Sequence, residues 1–186
     1  MRLAAFSTIS LAEGRARFGA NGGPTREIPC PDLGALKQAL AEDASLIQGD
    51  LSDFRRAADN VRLAQLGGLL CASALGNAWS PEETALIGLN GNGCARNNRL
   101  YWNDFIAHGR ETGRASLFVP TLPSIPVCEA AIALGIHGPV RYLKTATEPQ
   151  TAELLEEMFA SDAPLRQIMT VEVADDGANV RLLARE

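Results

Sequence analysis

The chain has 186 residues, 46% of them hydrophobic and 21% charged, and carries a net charge of −5. That length suits one domain, which buries roughly 70% of the surface its unfolded form exposes and so needs no staples. The arginines are scattered rather than banked into a basic stripe, which sets nucleic-acid binding aside, and no run approaches the roughly 20 apolar residues of a membrane helix.

In chain order, residues 3–10, LAAFSTIS, are apolar and β-permissive and predict a first strand. Residues 12–34 carry glycine, proline and charge without a period and read as loop, and residues 34–42 predict a short helix. With Ser52 or Asp53 as cap, Phe54, Ala57, Val61, Leu66, Leu70 and Ala74 recur at near-helical spacing, and Gly76 and Asn77 end that buried helix. Gly67 and Gly68 inside it cost about 1 kcal/mol each in helix propensity, which implies a close approach by another backbone.

Residues 84–93, TALIGLNGNG, predict a buried strand feeding a glycine-rich turn. The helix expected over 97–108 turns Leu100, Tyr101, Phe105 and Ile106 inward. Pro120, Pro123 and Pro126 keep the approach after it extended, and Pro126 suits the first turn of a helix over 127–134 that Gly135 stops. Gly138 and Pro139 then turn the chain into a strand, VRYLKTA, over 140–146. A last helix follows with Thr147 as N-cap, Leu154, Leu155, Met158 and Phe159 on one side and Glu153, Glu156 and Glu157 on the other. Strands over 165–175 and 179–186 close the chain around a hairpin turn at Asp175, Asp176 and Gly177.

This order predicts an α/β domain over 1–186. Its sheet is expected to be five-stranded, mixed and mainly parallel, flanked by helices, with the terminal hairpin as an antiparallel edge.

Few residues invite chemistry. Thr147 ends a strand at a sharp turn, where acyl-transferring enzymes often hold a nucleophile, but a threonine hydroxyl needs a dedicated base and the helix-cap reading is preferred. Gly88, Gly91 and Gly93 with Arg96 form a turn after a strand that could cradle a phosphate, yet the dinucleotide fingerprint is incomplete and turn geometry is preferred. Cys94, in that turn, is a candidate exposed thiol. Cys30, Cys71 and Cys128 read as buried reduced thiols, with Cys128 packed in its helix, and Trp79 and Trp102 as packing residues. With His108 and His137 alone beside the cysteines, no metal site and no cofactor are expected. The N-terminal stretch is too weak for a signal peptide, so a cytoplasmic location with no membrane contact is expected.

The segment FVPTLPSIPVCEAAIALGIHGPVRYLKTA, the helix with Arg62, the strand ALIGLNGNG and residues 98–102 together resemble the N-terminal half of β-ketoacyl synthases of the thiolase-like fold. The resemblance covers roughly residues 55–147 and implies a single thiolase-like half-unit. In that family the nucleophile is a cysteine after Thr-Ala; here the matching residues are Thr145, Ala146 and Thr147, so Thr147 stands at the nucleophile position. The family's two assisting histidines lie in a second half, and neither His108 nor His137 matches them. The resemblance thus implies a noncatalytic protein, an accessory subunit in fatty-acid or polyketide-type biosynthesis.

Its implied partners are a full-length ketoacyl synthase or an acyl carrier protein. Family dimers join through the edge strand matching 140–146, so a homodimer or heterodimer is expected there, with Arg141, Tyr142, Leu143 and Lys144 as interface candidates; Arg141 and Lys144 serve equally as guards of an exposed edge. Phe118, Leu122 and Ile125 are candidates for an acyl pocket beneath Thr147. The alternative is a small acyltransferase or thioester hydrolase using Thr147 or Cys94.

Overall fold

A computed structural model describes residues 1–89, 94–111, 113–144, 147–161 and 164–185. The strands are β1 (Arg2–Ser10), β2 (Arg15–Ala20), β3 (Arg26–Pro29), β4 (Thr84–Leu89), β5 (Val140–Leu143), β6 (Gln167–Val173) and β7 (Gly177–Ala184). The helices are α1 (Leu33–Glu42), α2 (Asp59–Leu75), α3 (Ala95–Ala107), α4 (Ala115–Phe118), α5 (Ile125–Leu134) and α6 (Glu148–Ser161). All seven strands join in one sheet of order β3-β2-β1-β7-β6-β4-β5.

The class is the expected mixed α/β, but the sheet has seven strands rather than five. β2 and β3 lie in the stretch expected to be loop. Ala16 and Phe18 of β2 are buried while Arg15 and Arg17 alternate with them on the other face, which is a strand's period of two. Gly14, at φ +64°, makes the reversal from β1, a left-handed backbone that glycine adopts without a Cβ penalty. Pro29 sits on β3, where an edge strand tolerates a missing donor.

The sheet is also not mainly parallel. Only β4–β5 and β4–β6 run parallel, and β1–β2, β2–β3, β1–β7 and β6–β7 are antiparallel. The terminal hairpin is interior rather than at an edge, because β7 fills the place between β6 and β1. Strand pairing across most of the chain's length, which no local pattern encodes, decides both points.

α2 lies across the middle of one sheet face, with Val61, Leu63, Leu66, Leu69 and Leu70 buried. It begins at Asp59, later than expected, because residues 52–56 form turns. Its two glycines admit side chains rather than another backbone. A Cβ on Gly67 would stand 2.9 Å from Val180 Cγ2, and Ser7 Oγ donates to the Gly67 carbonyl at 2.7 Å. A Cβ on Gly68 would stand 2.7 Å from Leu134 Cδ1, so this second glycine seats α5 beside α2. α5 has Pro126 in its first turn and ends at Gly135, whose φ of +64° is the left-handed C-cap.

α6 covers part of the opposite face. Leu155, Met158 and Phe159 pack on Ala85, Ile87 and Ile168 of β4 and β6, and Glu153, Glu156 and Glu157 face solvent. The acidic ridge is therefore wet, so its three carboxylates avoid the several kcal/mol that burying an unpaired ion costs.

α3 departs furthest from expectation. None of its residues is buried, and Leu100 and Ile106 are exposed instead of facing inward. Trp102, expected to pack, is 55% exposed. Tyr101 stacks on Phe105 and meets Phe118 edge-on at 5.5 Å, so α3 and α4 form an arm packed mostly on itself. Cys30, Cys71 and Cys94 are buried, whereas Cys128 points outward from α5.

Candidate functional site

The parallel strands β4, β5 and β6 end together on the side where α6 begins, the usual place for a site in an α/β sheet. Thr147 stands immediately before α6. Its backbone N–H donates to Gln150 Oε1 at 3.0 Å, its hydroxyl donates to the same oxygen at 3.1 Å, and Gln150 N–H donates back to Thr147 Oγ1 at 3.4 Å. This reciprocal arrangement is a capping box, which satisfies helix N–H groups that have no intrahelical acceptor. The Thr147 carbonyl accepts from Thr151 N–H at 2.9 Å and from Thr151 Oγ1 at 3.1 Å, extending the lock one turn inward. Thr145 and Ala146 lie outside the described residues.

Among the described residues, no histidine, lysine or carboxylate hydrogen-bonds to Thr147. His108 Nδ1 lies 2.8 Å from the Asp104 carbonyl on α3, and His137 Nε2 lies 3.7 Å from Glu82. A hydroxyl without a base in hydrogen-bond reach is a weak nucleophile, and this one is engaged as both donor and acceptor.

Beside Thr147 runs a groove of about 1090 Å³ between α6 and the sheet, walled by Lys144, Glu148, Leu155, Glu172, Arg181 and Leu183 among others. Phe118, Leu122 and Ile125 are not among its walls. Phe118 and Leu122 are exposed beside the arm, and Ile125 is half-buried at the start of α5.

Among the described residues, β5 is the last strand of the sheet and pairs with β4. Arg141 and Lys144 are exposed, and Tyr142 and Leu143 are half-buried. Burial, and secondarily the nearby Cys94, push the Tyr142 phenol above its ordinary pKa. The opposite edge, β3, is closed off differently: Glu27 pairs with Arg17 at 2.7 Å, Arg26 pairs with Asp43 at 2.6 Å, and Pro29 withholds a donor.

Cys94 is the N-cap residue of α3, and it is buried rather than exposed. Asn60 Nδ2 donates to its Sγ at 3.4 Å. Burial raises the thiol's pKa, with the Asn60 bond opposing it, so Cys94 is held as the thiol rather than the reactive thiolate. Asn90, Gly91, Asn92 and Gly93 lie outside the described residues. Among the described residues, no group of three or more His, Cys, Asp or Glu is placed to hold a metal ion.

Two features were not foreseen from sequence. One is the apolar surface of the arm, joined through the turn at 119–121 to α5 and the exposed Ile132. The other is a second cavity at the start of α3, walled by Arg56, Arg96 and Arg99. Its one sequence signal was Arg96 after the glycine-rich turn.

No family model and no curated protein sequence matches the chain. Solved structures do. One is a ketosynthase in complex with its chain length factor from Xenorhabdus doucetiae, at TM-score 0.58 and 15% identity, covering 100% of this chain and 80% of that one. Another is the ishigamide ketosynthase/chain length factor, at TM-score 0.55 and 12% identity, covering 98% of this chain and 61% of that one. A third is a beta-ketoacyl synthase from Burkholderia phymatum, at TM-score 0.52 and 11% identity, covering 99% of this chain and 58% of that one. At these identities the likeness is one of architecture, and the chain has the thiolase-like fold of the ketosynthases.

Proposed function

We propose that the chain, over 1–186, is a noncatalytic ketosynthase-like subunit that pairs with a full-length ketosynthase in a fatty-acid or polyketide-type assembly, with an acyl carrier protein as a further partner. The observation that carries this reading is Thr147: at the position that the resemblance sets against the family's cysteine, the side chain closes a capping box, and no histidine, lysine or carboxylate hydrogen-bonds to it among the described residues. Two of the structural neighbours are ketosynthase and chain length factor pairs, which supports a paired role. The edge strand β5, with the exposed Phe118, Leu122 and Ile132 on segments joined to it through α5, supplies a surface for such a partner. The hydrolase alternative is weaker, because Cys94 is buried and Thr147 is capped.

The test is co-expression with a full-length ketosynthase of the same organism, followed by size-exclusion chromatography and intact mass measurement after incubation with acyl and malonyl thioesters. The expected result is a one-to-one complex and no acyl adduct on this chain. Leu122→Asp with Ile132→Asp, both exposed, should weaken the complex while changing the melting free energy by no more than about 0.5 kcal/mol. An acyl adduct on Thr147, or no complex with any ketosynthase of that organism, overturns the reading.

A further inference from the structure

The cavity at the start of α3, about 600 Å³, lies apart from the groove beside Thr147 and has a different chemistry. Most carboxylates near arginines in this chain are committed: Glu13 to Arg15, Glu27 to Arg17, Asp43 to Arg26, Asp104 to Arg114 and Glu83 to Arg166. The arginines of the cavity are not so matched. Arg56 and Arg99 have no carboxylate partner among the described residues, and Arg96 Nη1 reaches only the Asp175 carbonyl, at 3.4 Å. The two acidic residues in the wall are Asp59, which faces Arg62 at 3.3 Å, and Asp175.

The backbone adds to this. α3 is 13 residues long and begins at the cavity with no side-chain cap and no acidic residue in its first turn. Ala95, Arg96 and Asn97 line the cavity, and their N–H groups have no acceptor within the helix. Arg56, in the turn before α2, and Arg96 and Arg99 of α3 thus line one cavity together with an uncapped helix start, in a chain whose net charge is −5. Leu117 and Pro120 form an apolar wall beside them.

We propose that this cavity binds a small phosphate-bearing molecule, with the phosphate held by Arg56, Arg96, Arg99 and the start of α3, and its apolar part against Leu117 and Pro120. Guanidinium forks match two phosphate oxygens at once, and a helix start presents N–H groups to a third. The site is concave and of ligand size, which fits a small molecule better than the side chains of an acidic protein. This goes beyond the proposed subunit role and needs no ketosynthase partner.

Isothermal titration of the full chain with inorganic phosphate and with pyrophosphate, at ionic strength matched by chloride, tests it. Saturable binding is expected, tighter for pyrophosphate. Because Arg56→Ala with Arg99→Ala removes two of the three charged donors, it should weaken binding by at least about tenfold. Arg56→Lys with Arg99→Lys should recover part of the loss, and Arg2→Ala, on β1, should leave affinity unchanged. Melting curves of every variant confirm folding, since all three positions are exposed. Absence of binding by either anion overturns the proposal, and so does an equal loss in Arg2→Ala, which would mean diffuse charge. Saturable binding of polyglutamate with none of phosphate or pyrophosphate also overturns it and assigns the cavity to an acidic protein.

Discussion

Replacing Thr147 by alanine removes the acceptor of the Gln150 N–H and one of the two donors to Gln150 Oε1. Thr147 is exposed, so the change opens no cavity and its cost is that of the cap, typically about 1 kcal/mol. For a domain of this size, about 1 kcal/mol corresponds to a fall of roughly 2–4 °C in Tm. Gln150→Ala leaves the Thr147 N–H without its partner and should cost a similar amount. The two changes share one pair of groups, so a double-mutant cycle should show coupling of at least about 0.5 kcal/mol. Thr147→Ser keeps the hydroxyl and should melt close to the wild type. A catalytic Thr147 gives a different pattern: Thr147→Ser would still take up an acyl group from a thioester, and Thr147→Ala would not, whatever happened to stability. Thermal melts and intact mass spectra of the wild type and these variants separate the two. An unchanged Tm in Thr147→Ala, or an acyl adduct that only the alanine variant lacks, would refute the capping argument.

Gly67→Ala places a methyl 2.9 Å from Val180 Cγ2 in a closed helix–sheet contact. Overpacking costs about 1–3 kcal/mol against about 1 kcal/mol gained in helix propensity, so the variant should melt lower, and a raised Tm would contradict the packing described. Asp43 offers a pH test: two hydrogen bonds from Ser45, and then the Arg26 guanidinium, lower its pKa from 3.8 to about 2. A carboxyl that is more acidic when folded contributes stability that is fully present above the unfolded value and is lost as pH falls through the folded one. That loss therefore belongs to the window from about 3.8 down to about 2. Carbon-detected NMR titration should place the Asp43 midpoint well below that of an ordinary aspartate, and Ser45→Ala should raise it more than Arg26→Ala does.

The sequence was most legible where proline and glycine punctuate it. α5 and α6, the corner between Gly135 and Pro139, and the cap at Thr147 all rest on signals a few residues long, and each appears where the chain chemistry puts it. β2 was hidden because its alternation is carried by two arginines, one alanine and one phenylalanine among glycines, so charge density masked the period. On α3 the period was read correctly and the burial was not: spacing shows that Leu100, Tyr101, Phe105 and Ile106 share a region of the helix, not that anything in the same chain covers it. Cys94 and Cys128 exchanged roles for the same reason. Of the candidate sites, the cavity that Arg56 shares with Arg96 and Arg99 brings together residues some 40 positions apart, which no local pattern encodes.

The place of β7 between β1 and β6 has a consequence for synthesis. Arg2 pairs with Ala184 and Ser10 with Gly177, so β1 waits for β7, which is made after every element that lies between them in the chain. Until then β1 can pair only with β2, while β6 and β4 have no link to it, and the face under α2 stays open. Contacts of such long sequence separation slow folding, because loop-closure entropy is lost before the pairing that offsets it forms. On a ribosome, the chain would carry two half-sheets until β7 emerges and joins them.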